Sequence, residues 1–399
     1  MRIVLLSNAP WSVTGYGNQT RLLIKQFQRL AHEPAVVAFY GLEGGIINAN
    51  GVPVYPRSPN NPWGLDVIDA HTTHFNNKPG GLVISLMDSW VLDPKAFRVS
   101  RWAPLFPIDH DPLPPPIKER VSQAFARIVY SRFGERMMHE AGLDCYYAPH
   151  MIDCEVHKPK PKRISREKMG LPQDAFIVGM VAANKGNPSR KCFQQQLEAF
   201  KILHTRHPDT RLHLHTSKGI RGGGEEVNLP ELIDYLGLND CTTFVDPYAY
   251  MKGIPDDGVA TVYNAFDVLT SVSMGEGFGI PIVEAQANGV PVIVGDWTSM
   301  SELCFAGWKV DRKDADPFWT PLAAYQFVPR VGAIAEAMEL AYLGAGDFKL
   351  KKQARQGALA YHADDVADTY WRPILADLEK RIAAEDATPT FADVAGVAV

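Results

Sequence analysis

From Arg2 onward, short apolar runs alternate with helical patterns; the alternation breaks once, at a polar stretch, and then starts again. RIVLL (2–6) reads as a buried strand, and GNQTRLLIKQFQRLAHE (17–33) as the amphipathic helix that follows it. AVVAFYG (35–41), GLDVIDA (64–70), GLVISLMD (81–88), WAPLFPID (102–109) and ARIVYS (126–131) continue the strands, and the proline cluster of DPLPPPIKERVSQAF precedes a helix. Strands that are apolar along their whole length belong to parallel sheets covered on both faces. The break is APHMIDCEVHKPKPKRISREKMGLP (148–172), rich in Lys and Pro, which reads as an interdomain linker with solvated charges.

Beyond it the rhythm returns. Strands are expected at 174–182, 210–217, 241–247, 265–273 and 291–296, with helices at 190–208, 229–238 and 281–289. The expected architecture is α/β, with two doubly wound Rossmann-like domains at 1–160 and 161–367. Residues 368–399 add a helix, DTYWRPILADLEKRIAAE, formed despite Pro373, and a weakly ordered tail, DATPTFADVAGVAV.

Charge and cysteine usage narrow the function classes. A net charge of -5 on 399 residues gives no electrostatic argument for a nucleic-acid partner, though it leaves room for a local basic patch, and suits a cytoplasmic protein. Cys145, Cys154, Cys192, Cys241 and Cys304 are scattered, with no CxxC pair, so neither a disulfide framework nor a zinc site is indicated. The first residues resemble a buried strand more than a signal peptide, and no run reaches the roughly 20 apolar residues that cross a bilayer.

Three loops could carry chemistry. SNAPWSVTGYGNQTR (7–21) leaves the first strand, supplies Gly15 and Gly17 and opens a helix; it is either a tight turn or a place where backbone approaches an anion. NKGNPSRKCF (184–193) sets Arg190 and Lys191 at a helix start, an unfavourable place for cations unless an anion binds there. MGEGFGIPIVEAQANGVPVIV (274–294) puts glycines at 275, 277 and 279 after a strand and Pro281 in the first turn of the next helix. Such a loop builds a nest of backbone amides for an anion. Glu276 in the loop and Glu284 in the helix can each accept hydroxyl hydrogens, as a sugar or ribose diol offers them. Together they suggest a nucleotide sugar; the plainer alternative is a loop residue and an early-helix acid.

These residues resemble the retaining glycosyltransferases of family 4. SVSMGEGFGIPIVEAQANGVPVIVGD is similar to their Glu-x7-Glu signature. TGYG, YSRFGERMMHEAGLDCYYAPHMID, GMVAANKGNPSRKCFQQQLEAF and FDVLTSVS agree with the same family, so that the likeness runs to about residue 385. The resemblance implies a GT-B fold, two Rossmann-like domains facing a central cleft, with acceptor on the first and nucleotide sugar on the second. It implies that Glu284 holds the ribose, that Glu276 contacts the transferred sugar, and that Gly277, Phe278, Gly279 and Ile280 approach the diphosphate or sugar. Lys191 and Arg190 would neutralise the leaving diphosphate, with Gly15 and Gly17 cradling it from the other domain. Cations and backbone dipoles would then stand in for a metal, and no cofactor beyond the donor substrate is expected.

Two departures stand out. Many relatives carry an arginine where this chain has Ala183, so that Arg190 supplies the contact or it is absent. Relatives often place a histidine near the anomeric carbon; here that place holds Asp88, with His110 as its equal and His71 and His74 as further possibilities. Asp109, His110 and Asp111 could suggest a metal, but three adjacent ligands on one loop rarely all face one ion.

The donor base is open, with uridine favoured over guanosine and adenosine. The hydroxyl acceptor could be a glycan, a small metabolite, a lipid-linked sugar or, less in keeping with the charge, a nucleic acid. Trp63, Trp90 and Trp102 could stack on rings or close a hydrophobic patch. Arg21, Lys25 and Arg29 form a basic helix stripe that suggests weak peripheral membrane association or simply a solvated face. Outside glycosyl transfer stand a sugar-nucleotide epimerase, a phosphorylase, for which no pyridoxal-phosphate lysine is evident, and a non-catalytic sensor or structural subunit that kept the donor pocket.

Overall fold

In the computed structural model, residues 1–219 and 226–387 are described. The tail expected from residue 386 falls almost wholly on 388–399, outside the described residues.

The first sheet has strands β1 (Arg2–Asn8), β2 (Glu33–Tyr40), β3 (Ile47–Ala49), β4 (Val52–Pro56), β5 (Leu82–Leu86), β6 (Arg101–Phe106), β7 (Ile128–Val129) and β8 (Tyr146–Tyr147). Their spatial order is β3-β4-β2-β1-β5-β6-β7-β8, and every pairing is parallel except β3 with β4. The second sheet has β9 (Phe176–Val181), β10 (Thr210–His215), β11 (Thr242–Phe244), β12 (Val268–Ser271), β13 (Val292–Gly295) and β14 (Gly307–Val310), in the all-parallel order β11-β10-β9-β12-β13-β14. Ile3 to Leu6 on β1 and Ile177 to Val178 on β9 are closed to solvent, as strands with helices on both faces must be. A separate antiparallel hairpin follows, β15 (Ala315–Trp319) and β16 (Tyr325–Pro329).

Several expectations are corrected. GLDVIDA is not a strand: it leads into the helix Ile68–Asn76, whose buried Ile68 and Thr72 lie one turn apart on its inner face. The β-branched pair Val67 and Ile68 imitates a strand locally, but the four-residue spacing decides. The polar linker is not simply solvated. It contains the helix Lys162–Met169, whose buried Arg166 donates to Asp267 at 2.6 Å and to the Ala265 carbonyl at 3.0 Å, with Lys162 on the same carboxylate. The basic stripe is largely spent on the protein itself. Arg21 pairs with Asp256 of the second half and Arg29 with Asp368 at 3.1 Å.

Near the end of the chain a π-helical turn, Ala367–Trp371, runs into the helix Arg372–Ala387, with Pro373 in its first turn, where a missing N–H costs least. This segment packs on the first sheet's half. Trp371 meets Phe27 edge-on at 5.1 Å, Glu379 pairs with the Met1 amino group at 3.0 Å, and Arg101 with Glu385 at 2.7 Å.

Candidate active site in the interdomain cleft

Both sheets reverse their strand order next to a central strand, between β1 and β5 in the first and between β9 and β12 in the second. Crevices outside the carboxyl ends of strands at such switch points are where open α/β sheets bind ligands. The loops after β1, β5, β6, β9 and β12 supply the residues singled out above.

In the loop after β1, Thr14 caps the helix Gly15–Arg29 by accepting the Gly17 N–H at 3.0 Å. A side chain at Gly17 would overlap the Ser12 carbonyl, so glycine is required there by the turn itself. Gly15 faces the other half: a Cβ on it would touch Ile280 Cδ1 at 3.4 Å.

The loop after β12 is pinned from behind. Thr298 Oγ1 accepts the Glu276 N–H at 3.1 Å, and Ser299 Oγ, with one proton to share, faces the carbonyls of Glu276 and Phe278 at 2.7 and 2.6 Å. The Phe278 ring is buried among Tyr130, His150 and Tyr361. Among the described residues the N–H groups of Gly277, Phe278, Gly279 and Ile280 have no protein acceptor, and Gly279 opens the helix Ile280–Ala287 at φ +110°. Four unsatisfied donors beside a helix N-terminus attract an anion.

Two cations flank them. Lys191 Nζ and Ser273 Oγ both reach Glu276 Oε1, the latter at 2.6 Å, while Arg190 lies 3.3 Å from Oε2 and donates to the Gly275 carbonyl. Burial works against a charge on Glu276, but Lys191 and Arg190 more than offset it and hold its carboxyl down to about 2. Glu276 is therefore an ionised acceptor at neutral pH rather than a proton donor. Burial also lowers the Lys191 ammonium, an effect that Glu276 opposes.

The loop after β6 faces this cluster. His110 Nδ1 lies 2.6 Å from Asp109 Oδ1, close in distance but not aligned as a hydrogen bond, and Asp109 Oδ2 lies 3.5 Å from Arg190. Asp88, after β5, is exposed to solvent, yet enough protein lies around it to disfavour its charge. That crowding, together with Asp109, pushes its carboxyl up to about 6, against the pull of Arg190. The buried Tyr130 and the partly buried Tyr16 lie beside these carboxylates, and burial raises both hydroxyls.

Glu284 has a different set of neighbours. The Tyr263 hydroxyl donates to Oε2 at 2.8 Å, and His157 Nε2 lies 3.7 Å from Oε1. The structure thus brings Arg190, Lys191, Glu276 and the amides of 277–280 together, with Asp109 and His110 opposite them. Glu284 sits further along the same helix. A cavity of about 910 Å³ lies between the halves, lined by Trp11, Tyr40, Arg57, Lys218 and Tyr250 among others.

Other candidates have structural positions. His71 and His74 pack on Tyr55, and the indole N–H of Trp102 donates to Ser85 inside the core at 2.9 Å. Trp63 packs edge-on against Phe39, while Trp90 stays exposed. Among the described residues no group of three His, Cys, Asp or Glu side chains is placed to hold a metal ion, and no helix is long and apolar enough to cross a membrane. Tyr263, Thr298 and Gln326 escaped the sequence reading because each acts through a contact distant in sequence.

Residues 161–309 match the family model for glycosyl transferases group 1. The chain is 32% identical over 149 residues to D-inositol 3-phosphate glycosyltransferase of Paenarthrobacter aurescens, covering 37% of this chain and 33% of that protein. To the protein of the same name from an Arthrobacter species it is 29% identical over 238 residues, covering 57% and 52%. It thus spans between a third and about half the length of these curated relatives. Over nearly the whole chain it resembles sucrose-phosphate synthase of Thermosynechococcus elongatus (TM-score 0.71, 16% identity, 96% of this chain and 100% of that one). Anabaena HepE in complex with UDP-glucose is similar too (TM-score 0.66, 18% identity, 94% and 100%). The fold is GT-B, two Rossmann-like domains about a cleft.

Proposed function

We propose that this protein is a glycosyltransferase that moves a sugar from a nucleoside-diphosphate sugar, with uridine favoured, to a hydroxyl acceptor with retention of anomeric configuration. The observation that carries this reading is the convergence of Arg190, Lys191 and the unpartnered amides of Gly277 to Ile280 at a switch point of the second sheet. Two cations and a nest of donors suit a diphosphate, and they act most strongly on the charge that develops as it leaves. Glu284, fixed by Tyr263, would accept the ribose hydroxyls, and the ionised Glu276 would accept those of the sugar. Asp88 or His110 would lie at the anomeric centre, and Gly15, against Ile280, would close the diphosphate site from the first domain.

In this reading residues 1–160 would present the acceptor and 161–367 hold the donor, and the helix Arg372–Ala387 packs back on the first domain. Uridine is favoured because HepE, similar in fold, has UDP-glucose in its structure. No metal is required in this scheme, since side-chain and backbone charge face the diphosphate.

Incubating the protein with UDP-sugars and a panel of glycan and small-molecule acceptors, and following UDP release and the product's anomeric NMR signal, tests the proposal. Acceptor-dependent UDP release with retained configuration supports it. Donor binding with no turnover on any acceptor would leave the sensor reading instead.

A further inference from the structure

The hairpin lies beyond the stretch that matches the family model, yet it is stitched to both sides of the candidate site. Tyr325 on β16 exchanges two backbone hydrogen bonds with Asp111 of the first domain, at 2.9 and 3.0 Å, and the Phe327 N–H donates to the Met274 carbonyl at 2.9 Å. Between them Gln326 is buried, and its amide Nε2 donates to Asp109 Oδ2 at 3.2 Å and to the Asp109 carbonyl at 3.4 Å. That carbonyl is the atom a side chain at Gly275 would strike. One glutamine therefore fixes a first-domain carboxylate against the glycine loop of the second domain.

Arg190 is the group at stake. It stands between two carboxylates, 3.3 Å from Glu276 and 3.5 Å from Asp109 Oδ2, and a bound diphosphate must compete with both. A charge-assisted hydrogen bond closes to about 2.7–2.9 Å when nothing holds the partners apart. Asp109 Oδ2 stops short of that distance from Arg190, and the same oxygen accepts the Gln326 amide. From this geometry we infer that Gln326 is a positioning residue: it restrains Asp109 and so lessens the hold of that carboxylate on Arg190, whose Nη1 already donates to the Gly275 carbonyl, when the donor's diphosphate binds. The inference rests on the donor site proposed above.

Calorimetric titration with UDP, or with GDP or ADP if the wild type prefers one of them, tests it on four proteins: wild type, Gln326→Leu, Asp109→Asn and the double variant. With Gln326→Leu, Asp109 closes on Arg190 and nucleotide affinity falls roughly tenfold, the scale of one charged hydrogen bond. Asp109→Asn removes the competing charge and binds at least as tightly as wild type. In the double variant the Gln326 substitution becomes silent, a coupling that a mere packing role, with additive losses, does not give. Wild-type affinity in folded Gln326→Leu, or a double variant as weak as Gln326→Leu, overturns the inference. Should Gln326→Leu fail to fold, Asp109→Asn decides alone, because weaker binding than wild type contradicts it. A wild type that binds none of the three nucleotides removes the donor-site reading and the inference with it, whereas a binding wild type leaves only the inference under test.

Discussion

Lys191 and Glu276 are ion-paired in the cleft, on loops that leave two neighbouring strands of the second sheet, and Arg190 completes the group at 3.3 Å from the other carboxylate oxygen. The pair explains why cations can stand at a helix start where the macrodipole disfavours them. It also predicts how the site fails. In Lys191→Ala, Glu276 keeps Arg190 and Ser273, so the buried carboxylate is not orphaned. Turnover should fall by about 10²-fold or more, the scale of losing one preorganised stabiliser of developing charge. Steady-state kinetics beside a thermal melt would show this as a large loss of kcat with a small change in Tm. A folded variant of full activity would remove Lys191 from the diphosphate.

Glu284 makes a narrower prediction. Its carboxylate is held by the Tyr263 hydroxyl at 2.8 Å, so the side chain is aimed before any ligand arrives. Glu284→Ala should weaken nucleotide binding by roughly 1–3 kcal/mol, and Tyr263→Phe should weaken it less, since only one donor is lost. Competition binding with a fluorescent nucleotide measures both, and unchanged affinity in Glu284→Ala would contradict the ribose assignment.

Asp88 carries a prediction about pH. The folded protein holds its proton up to about pH 6, well above the ordinary carboxylate value of 3.8, so the charged form costs stability above that pH and the neutral form prevails below it. If the ionised group assists at the anomeric centre, kcat/KM should fall about tenfold per pH unit below that point. Asp88→Asn should show low activity with no acid limb there, and equal or higher stability at pH 8. A wild-type profile flat from pH 5 to 8 would argue for His110 or for neither.

Between pH 7 and 5, buried histidines should destabilise the fold as it is acidified. Burial lowers His150 to about 3, His213 to about 3 and His215 to about 4, from an ordinary value of 6.5. The unfolded chain therefore takes up protons that the folded one refuses. Stability is complete above pH 6.5 and is lost as pH falls toward those values, by about 1.4 kcal/mol per pH unit for each group. His150 stacks on Tyr130 at 4.0 Å, so His150→Phe can keep the aromatic contact. Denaturant unfolding from pH 7 to 5 should give a shallower slope for His150→Phe than for wild type, and equal slopes would refute the assignment.

Much of this architecture was visible in the chain because period and apolar content carry it. The restart after residue 172 marked the second sheet, and the run from Met274 to Val294 marked a loop, helix and strand of the second domain. What stayed hidden depends on contacts between distant segments. Gly275 and Gly277 read as a nest for an anion, yet side chains there would overlap the Asp109 carbonyl and Pro107, so their smallness also serves the docking of one domain on the other. The hairpin escaped notice because Pro317 sits inside a short run and no helical pattern frames it. Gln326, one polar residue among many, has no local signature; only the fold puts it against Asp109.

The central claim is that a nucleoside diphosphate sits between Arg190, Lys191 and the 277–280 amides with its ribose on Glu284. Calorimetric titration of the wild type and of Glu284→Ala with UDP, GDP and ADP tests it most directly. The account predicts saturable, near-stoichiometric binding of one nucleotide, UDP foremost, markedly weakened in the variant. Absence of binding to all three, or binding that Glu284→Ala leaves intact, would contradict it.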